Sequence, residues 1–311
     1  MNIHKPEPTD PRMLPNPFRY VLGVTLLLSL VLSGCAGMDK SSGAANAFPL
    51  PAVTESATGE YHPGKFIWHD LLSPDVESSR AFYGKLFGWS FKEINDYTEI
   101  YLGQQKIGGL LPVKAKEQKP VAAHWLASVS VTDVDKAARL AADQGGRIIN
   151  GPLDLGPRGT GVLISDPAGG HLLLLHTRGG DPVDESPAIN GWLWNELWTA
   201  GLEPAVSFYT ALLGYSHEAI QDNYVILSSD DQWRAGIHQI EDKAFAGRWV
   251  PVVRVESPEA LLDSVQSLGG TVWLRPGESK TRPDAALIAD DQGAMLILQR
   301  WTADNETEEV H

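Results

Sequence analysis

The stretch Ala81-Phe82-Tyr83-Gly84-Lys85-Leu86-Phe87-Gly88-Trp89 decides the fold of this chain, because its pattern occurs twice. Residues 207–215 read Ser-Phe-Tyr-Thr-Ala-Leu-Leu-Gly-Tyr and keep the aromatic pair, the following leucine and the glycine at the same spacing. Phe82 and Leu86 lie one helical turn apart, and glycine after such a pattern favours the end of a helix. Each copy therefore predicts a short helix with one buried face.

The sequence around these helices is repeated as well. Trp68-His69-Asp70-Leu71 precedes the first helix, and Trp194-Asn195-Glu196-Leu197 precedes the second. Further along, Asp166-Pro167-Ala168-Gly169 in the first half matches Asp290-Asp291-Gln292-Gly293 in the second. The matching motifs are about 125 residues apart throughout, and self-similarity at a fixed spacing indicates a duplicated domain.

Each half divides again into two similar units. The apolar run 66–72 predicts a strand, 76–86 a helix, and 90–93, 97–102 and 106–112 three further strands. The same order recurs from Trp125, with a helix at 134–144 and strands near 147–149, 161–165 and 171–176. The unit is βαβββ, and the duplication predicts four copies of it.

This arrangement resembles the vicinal oxygen chelate superfamily, which includes glyoxalase I, extradiol dioxygenases and bleomycin-resistance proteins. The Phe-Tyr helix, a Gly-Gly turn and Asp-Pro-x-Gly before the last strand carry the resemblance, which extends from Gly64 to Trp301. It implies an α+β fold in which four βαβββ modules pair into two glyoxalase-like domains, 64–178 and 190–302, each with a cleft. The proline- and acid-containing stretch 179–189 is the predicted linker.

Enzymes of this superfamily hold a divalent metal on the first strand of each paired module and on a last strand. Counting from the helix motifs places those positions on apolar residues or on indoles, namely Trp68, Leu126, Leu173, Trp194, Val250 and Ile297. None of these side chains can ligate a metal. We therefore expect no metal and no other cofactor. A divalent metal held through His69, His124 or His171 is the alternative.

The candidate ligand-binding residues lie on the two opening strands. Trp68 and Asp70 are two residues apart, as are Trp194 and Glu196, so each pair lies on one face of its strand. An aromatic ring beside a carboxylate suits a small molecule with a flat part and a donor or cationic group. The competing interpretation is structural, with the tryptophan filling the cleft floor and the carboxylate pairing with an arginine.

Three further candidates complete the predicted site. Arg158 and Arg282 occupy matching places and are expected either to close over an anionic group of the ligand or to form salt bridges with the carboxylates. His171 shares strand parity with the inward positions of the first cleft. For a buried Arg248 or Arg254, Glu196 is the expected partner.

The N-terminal sequence indicates export. An apolar run, 21–32, follows Arg12 and Arg19 and ends at Leu32-Ser33-Gly34-Cys35, which resembles a bacterial lipobox. The resemblance implies a signal peptide over 1–34, a lipidated Cys35, and the outer membrane facing the periplasm, because Ala36 and not aspartate follows. An ordinary secretory signal or an uncleaved anchor is the alternative, and either Met1 or Met13 is the start. Residues 35–63 predict a flexible tether, and 303–311 an acidic tail.

Composition narrows the functional classes. The net charge of −14 argues against nucleic-acid binding. Cys35 is the single cysteine, so with Cys35 lipidated no thiol remains for a disulfide or a thiolate metal site. Hydrolase and nucleotide-binding motifs are absent from the sequence. The sequence favours a lipid-anchored protein that binds a small molecule in metal-free clefts. The alternative is a glyoxalase- or dioxygenase-like lyase or oxidoreductase, which either uses a metal or takes Asp70 or Glu196 as acid–base. The sequence leaves the oligomeric state open.

Overall fold

The structure, a computed structural model, describes residues 49–113, 121–279 and 282–301. The predicted signal peptide, Cys35, the first part of the predicted tether and the acidic tail lie outside the described residues. Within the described ranges, no helix is both long enough and apolar enough to cross a membrane.

The first domain is one mixed sheet of eight strands with two helices. Its elements are β1 (Phe66–Ser73), α1 (Val76–Phe87), β2 (Ser90–Ile94), β3 (Tyr97–Leu102), β4 (Gln105–Pro112), β5 (His124–Ser130), α2 (Val134–Asp143), β6 (Arg147–Asp154), a 3-10 turn (Gly156–Arg158), β7 (Gly159–Ser165) and β8 (His171–Thr177). The strand order is β2-β3-β4-β1-β5-β8-β7-β6, so the opening strands of the two modules are neighbours at the centre.

The second domain repeats this architecture. Its elements are β9 (Trp192–Thr199), α3 (Leu202–Leu213), β10 (Ser216–Gln221), β11 (Tyr224–Ser229), β12 (Gln232–Gln239), β13 (Arg248–Arg254), α4 (Pro258–Ser267), β14 (Thr271–Leu274), β15 (Ala285–Ala289) and β16 (Met295–Gln299). The order β10-β11-β12-β9-β13-β16-β15-β14 is that of the first sheet. The predicted α+β fold with four βαβββ modules is confirmed.

The repeated helix motif behaves as its sequence predicts. Asp75 precedes α1, and its side chain accepts a hydrogen bond from the Ser78 N–H, 3.0 Å away, which satisfies one free donor of the first turn. Gly88 and Gly214 end α1 and α3 with φ 72°, a left-handed conformation that a residue with a Cβ atom rarely adopts. The buried face of α1 includes both Phe82 and Leu86.

The repeated Phe-Tyr helix and Asp-x-x-Gly turn join the two domains to each other. The Tyr83 hydroxyl donates to Asp290 Oδ2 at 2.9 Å and accepts from the Trp125 indole at 3.2 Å. Burial raises the pKa of Asp290 to about 7, so hydrogen bonds from Tyr83 and from backbone N–H groups offset only part of the burial effect. The Phe-Tyr helix of one domain and the Asp-x-x-Gly turn of the other therefore form one buried joint.

A matching joint combines the helix of the second domain with the Asp-x-x-Gly turn of the first. The Tyr209 hydroxyl donates to Asp166 Oδ2 at 2.8 Å and accepts from Trp249 at 2.9 Å. Gly146 of the Gly-Gly turn lies so close to the second domain that a Cβ atom added to it would be 3.0 Å from the Phe208 ring. Hydrophobic cores at both joints combine residues of the two domains, which packs them firmly against each other.

Part of the predicted tether is packed onto the first domain, which corrects the prediction for the described residues 49–63. Leu50 and Val53 are buried in the hydrophobic cluster of the first cleft. Asp181, in the predicted linker, is also buried and accepts hydrogen bonds from Ser130 and Thr177. Apolar anchors and buried hydrogen bonds hold these stretches in place, although their composition is typical of flexible segments.

Candidate functional site

The first cleft contains a closed network around Asp70. Its Oδ1 accepts from the Trp68 indole at 3.0 Å and from the Tyr97 hydroxyl at 2.6 Å. Its Oδ2 pairs with Arg158 Nη1 at 2.8 Å, and Arg158 Nη2 donates to the Tyr97 oxygen at 2.7 Å. Trp68 and Asp70 thus share the inward face, as period two requires, and Arg158 is their partner.

This network leaves no room for a ligand on the carboxylate. Trp68, Asp70 and Arg158 are exposed by 1%, 2% and 0% respectively. Burial alone would lower the pKa of Arg158, but the charge of Asp70 and the contact with Tyr97 raise it overall, so the guanidinium stays charged. The first cleft therefore contains the structural salt bridge of the competing interpretation, in which the carboxylate pairs with an arginine.

The cleft is filled from outside by the N-terminal segment, which we define as residues 49–55. The Leu50 N–H donates to Leu155 O at 2.9 Å, and the Arg158 N–H donates to Leu50 O at 3.1 Å. The Arg158 Nε–H donates to Pro51 O at 3.0 Å. Leu50 and Val53 join the apolar cluster on the cleft floor. The chain's own N-terminal segment therefore occupies the place of a ligand.

His69 lies on the face of the sheet opposite to that of His124 and His171, which are close enough to interact electrostatically with each other. His69 points away from the cleft, contacts Asn195 Oδ1 through Nε2 at 3.0 Å and stacks on Trp192 with ring centroids 4.2 Å apart. His124 and His171 each have a buried Nε2 with no hydrogen-bond partner in the described structure. Burial lowers the pKa of all three histidines to about 4, so they are neutral at pH 7.

In the second cleft Glu196 takes the place of Asp70. Its Oε1 accepts from the Trp198 indole at 2.8 Å and lies 3.1 Å from His238 Nδ1, while Oε2 pairs with Arg282. The Arg282 guanidinium also donates to the Tyr224 hydroxyl. The expectation that Arg248 or Arg254 neutralises Glu196 is therefore wrong, because Arg282 reaches it across the cleft.

The partners of Glu196 stabilise its negative charge. Burial by itself would raise the pKa of Glu196, but the Arg282 charge and the contacts with His238 and Trp198 lower it overall. A small cavity adjoins this pair, lined by Glu196, Trp198, Leu274, Ser279, Arg282, Ala285, Ala286, Leu287 and Ile297. Glu196 is 1% exposed, so it faces the cavity from behind the arginine.

Trp194 donates no hydrogen bond to Glu196, whereas Trp68 donates one to Asp70. Trp194 lies beneath the Arg282 guanidinium, 5.4 Å from carbon to ring centroid, and its buried Nε1 has no hydrogen-bond partner in the described structure. Trp198, two residues after Glu196 on the same strand face, supplies the indole N–H instead. Sequence reasoning did not place Trp198 or His238 in the site, although His238 is fully buried against Glu196. The strand parity that Trp198 shares with Glu196 was the signal for it.

The metal positions of the superfamily fit no metal in this chain. Leu126 and Leu173 pack in the apolar cluster of the first cleft, and Val250 and Ile297 pack in that of the second. The nearby carboxylates are paired with arginines. In the described ranges, no group of three or more His, Asp, Glu or Cys residues is placed to hold an ion. Hydrocarbon side chains at these positions supply no donor.

Comparisons with known proteins agree with this fold. The family model of the Glyoxalase/Bleomycin resistance protein/Dioxygenase superfamily matches residues 65–175. CFP32 of Mycobacterium bovis, which carries the provisional name of a glyoxylase, is 25% identical over 250 residues, covering 76% of this chain and 95% of that protein. The anthracycline biosynthesis protein DnrV of Streptomyces peucetius is 27% identical over 263 residues, covering 75% and 92%.

Solved structures share the two-domain fold at low identity. The Mn(II)-bound glyoxalase of Novosphingobium aromaticivorans has a TM-score of 0.53 and 12% identity, covering 76% of this chain and 82% of that one. The 2,3-dioxygenase LapB of Pseudomonas sp. KL28 has a TM-score of 0.55 and 14% identity, covering 78% and 93%. The chain thus folds as two glyoxalase-like domains, and the comparisons support its placement in this superfamily.

Proposed function

We propose that this protein is a lipid-anchored, glyoxalase-like protein that binds a small molecule in its second cleft without a metal. The difference in closure between the two clefts carries the proposal. The Arg158 side chain is fully buried beneath the N-terminal segment. The Arg282 side chain keeps 12% of its surface exposed and borders a cavity. The cavity by itself holds only about one water molecule, so a small ligand enters this cleft by displacing side chains around Arg282.

The alternative is a lyase or oxidoreductase of the same fold, and the names of the relatives support it. Its acid–base form is disfavoured, because a catalytic acid needs a raised pKa and that of Glu196 is lowered by its partners. Its metal-dependent form lacks donors at the positions described above. Adding Mn²⁺, Zn²⁺ or Ni²⁺ is therefore expected to leave the melting temperature unchanged, whereas a metal-specific rise would favour this alternative.

Hydrogen exchange tests the location of the ligand. Probes with one flat ring system and an anionic, neutral or cationic substituent are added to the soluble protein, and backbone protection is mapped. We expect at least one probe to protect β9, β12 and β16 while β1, β4 and β8 are unaffected. Protection confined to the first domain, or none with any probe, would contradict the proposal.

The lipid anchor is a separate part of the proposal and rests on the sequence Leu32-Ser33-Gly34-Cys35. Further acyl chains beyond the first make such an attachment stable. The Cys35→Ala variant is expected to lose labelled palmitate and to leave the outer-membrane fraction, or to remain uncleaved and unlabelled. Incorporation of label into Cys35→Ala would refute lipidation at this residue.

A further inference from the structure

The two clefts differ most where the N-terminal segment crosses the first one. Asp70 lies opposite Gly109 on β4, and Glu196 lies opposite Gly236 on β12, so the two strand pairs are in the same register. Lys106, three residues before Gly109, bonds Ala52 O of the N-terminal segment at 3.3 Å and pairs with a buried glutamate. The corresponding residue of the second domain, three before Gly236, is Trp233.

Trp233 belongs to a cluster of three half-buried indoles, which we call the indole cluster: Trp194, Trp233 and Trp301. Trp194 lies 6.3 Å from Trp233 and 6.4 Å from Trp301 between ring centroids, and the last two are 5.9 Å apart. Among the described residues, the apolar lining of this cleft contains only residues between 193 and 297, so it has no counterpart of the N-terminal segment. The linker contacts only the border of this region, where Asp184 Oδ2 lies 2.7 Å from Arg234 Nη1 and Pro187 O lies 2.7 Å from Arg254 Nη1.

The polar groups at the indole cluster include the donors Trp194 and Arg282 and one side-chain acceptor, Gln299 Oε1, which lies 3.5 Å from Arg282 Nη1. Trp194 Nε1 is buried without a partner, which costs free energy unless an acceptor arrives. Arg282 lies over Trp194 with part of its side chain exposed. Arg254 adjoins the cluster, but it already donates from Nε to Trp301 O at 3.1 Å and from Nη1 to Pro187 O at 2.7 Å. The carboxylate of Glu196 is 1% exposed and already holds three partners, so a cation cannot reach it.

We infer that the indole cluster binds a flat ring that carries an anionic or carbonyl acceptor. The inference rests on the proposed binding function and defines its ligand class, and it places the ring on indoles that adjoin Arg282 but do not line the small cavity. The ring stacks on the indoles, and its acceptor receives the Trp194 N–H and faces Arg282. Because the Trp194 N–H is covered, one indole rotates when the ligand enters. This class replaces the cationic or donor-bearing ligand that the carboxylates suggested in the sequence.

Three matched compounds test the class: 2-naphthoate, 2-naphthamide and 2-naphthylmethylammonium. They share one ring and differ in charge and in acceptor capacity. Calorimetry and tryptophan fluorescence are expected to rank naphthoate first, naphthamide next and the ammonium compound at least tenfold weaker than naphthoate. An ammonium compound that binds as tightly as naphthoate would overturn the ligand class. The second-cleft proposal would still hold in that case if hydrogen exchange protects β9, β12 and β16.

A variant pair tests the placement. Trp194→Phe keeps a ring but removes the N–H, so naphthoate should bind roughly three- to tenfold more weakly. Trp273→Phe is the control within the same cleft. It also removes a buried indole N–H without a partner, but Trp273 packs on Phe245 and is not a member of the indole cluster, so naphthoate affinity should be unchanged. Equal naphthoate affinity of wild type and Trp194→Phe would overturn the placement. Binding of none of the three compounds, with no protection in either domain, would overturn the proposed function as well.

Discussion

The two clefts contain the same charged pair in two different settings. In the first, Asp70 and Arg158 are sealed beneath the N-terminal segment, and Trp68 supplies the indole N–H. In the second, Glu196 and Arg282 border a cavity, and Trp198 supplies that N–H from the opposite side in sequence. A carboxylate–arginine pair repeated by duplication is therefore evidence of a shared structural requirement, and it does not by itself mark a ligand site.

The partner strands explain why the indole donor moves. Leu72 lies opposite Leu111 in the first domain, whereas Trp198 lies opposite His238 in the second. The aliphatic pair leaves Asp70 dependent on Trp68. The Trp198–His238 pair satisfies Glu196 and releases Trp194 toward the indole cluster. Because Trp198 and His238 stand where the first domain has Leu72 and Leu111, the indole N–H of Trp194 is not used to bind the carboxylate.

The largest expected effect tests the two arginines against each other. Arg158→Ala should lower the free energy of unfolding by about 3–5 kcal/mol, because it leaves a fully buried carboxylate without its cation. Arg282→Ala should cost about 2 kcal/mol, since water can replace a partly exposed guanidinium. Urea denaturation measures both. Arg178→Ala, in an exposed pair, is the control and should cost below about 1 kcal/mol. Equal losses of unfolding free energy in Arg158→Ala and Arg282→Ala would contradict the difference in closure between the two clefts.

The N-terminal segment provides the next test. Leu50→Ala removes a buried anchor of the first cleft and should cost about 2–4 kcal/mol of unfolding free energy. Val183→Ala, at an exposed apolar residue, should change stability by less than about 0.5 kcal/mol. Denaturant unfolding of both variants gives the comparison. A Leu50→Ala protein as stable as Val183→Ala would mean that the segment does not seal the cleft.

His69 and Asn195 meet at the domain joint, and only one of them titrates. The pKa of His69 is lowered from 6.5 to about 4 by burial, so unfolded chains take up the proton first as the pH falls. Stability from this group is complete above pH 6.5 and declines by roughly 2–3 kcal/mol toward pH 4. His69→Asn should reduce the pH dependence of unfolding free energy in this window by that amount. An unchanged pH dependence would refute a buried neutral His69.

The smallest effect concerns a feature that the domains share. Tyr83→Phe and Tyr209→Phe each remove one hydroxyl that donates to an aspartate of the other domain and accepts from a tryptophan. Each should cost about 1–2 kcal/mol, and the two losses should agree closely. Thermal or urea unfolding measures both variants. A loss of stability in only one of the two variants would contradict the equivalence of the two joints.

Sequence periodicity determined the architecture of this protein. The repeated Phe-Tyr helix, the glycine that ends it and the apolar runs predicted four βαβββ modules, because each signal depends on neighbours within a few residues. Strand parity correctly placed Trp68 and Asp70 on one face, and counting from the helix motifs put apolar side chains or indoles at the metal positions that the superfamily resemblance implies. Local spacing is sufficient for such statements, since it sets the direction of each side chain.

Only the tertiary structure decided which groups meet. Arg158 reaches Asp70 across 88 residues of chain, and Tyr83 reaches Asp290 across 207. The choice of Arg282 as the partner of Glu196, and the insertion of Leu50 into the first cleft, likewise depend on distances that no local pattern encodes. Hydrogen bonds and ion pairs act over a few ångströms, so a side chain's partner is fixed only after the sheets and the domain joint have formed.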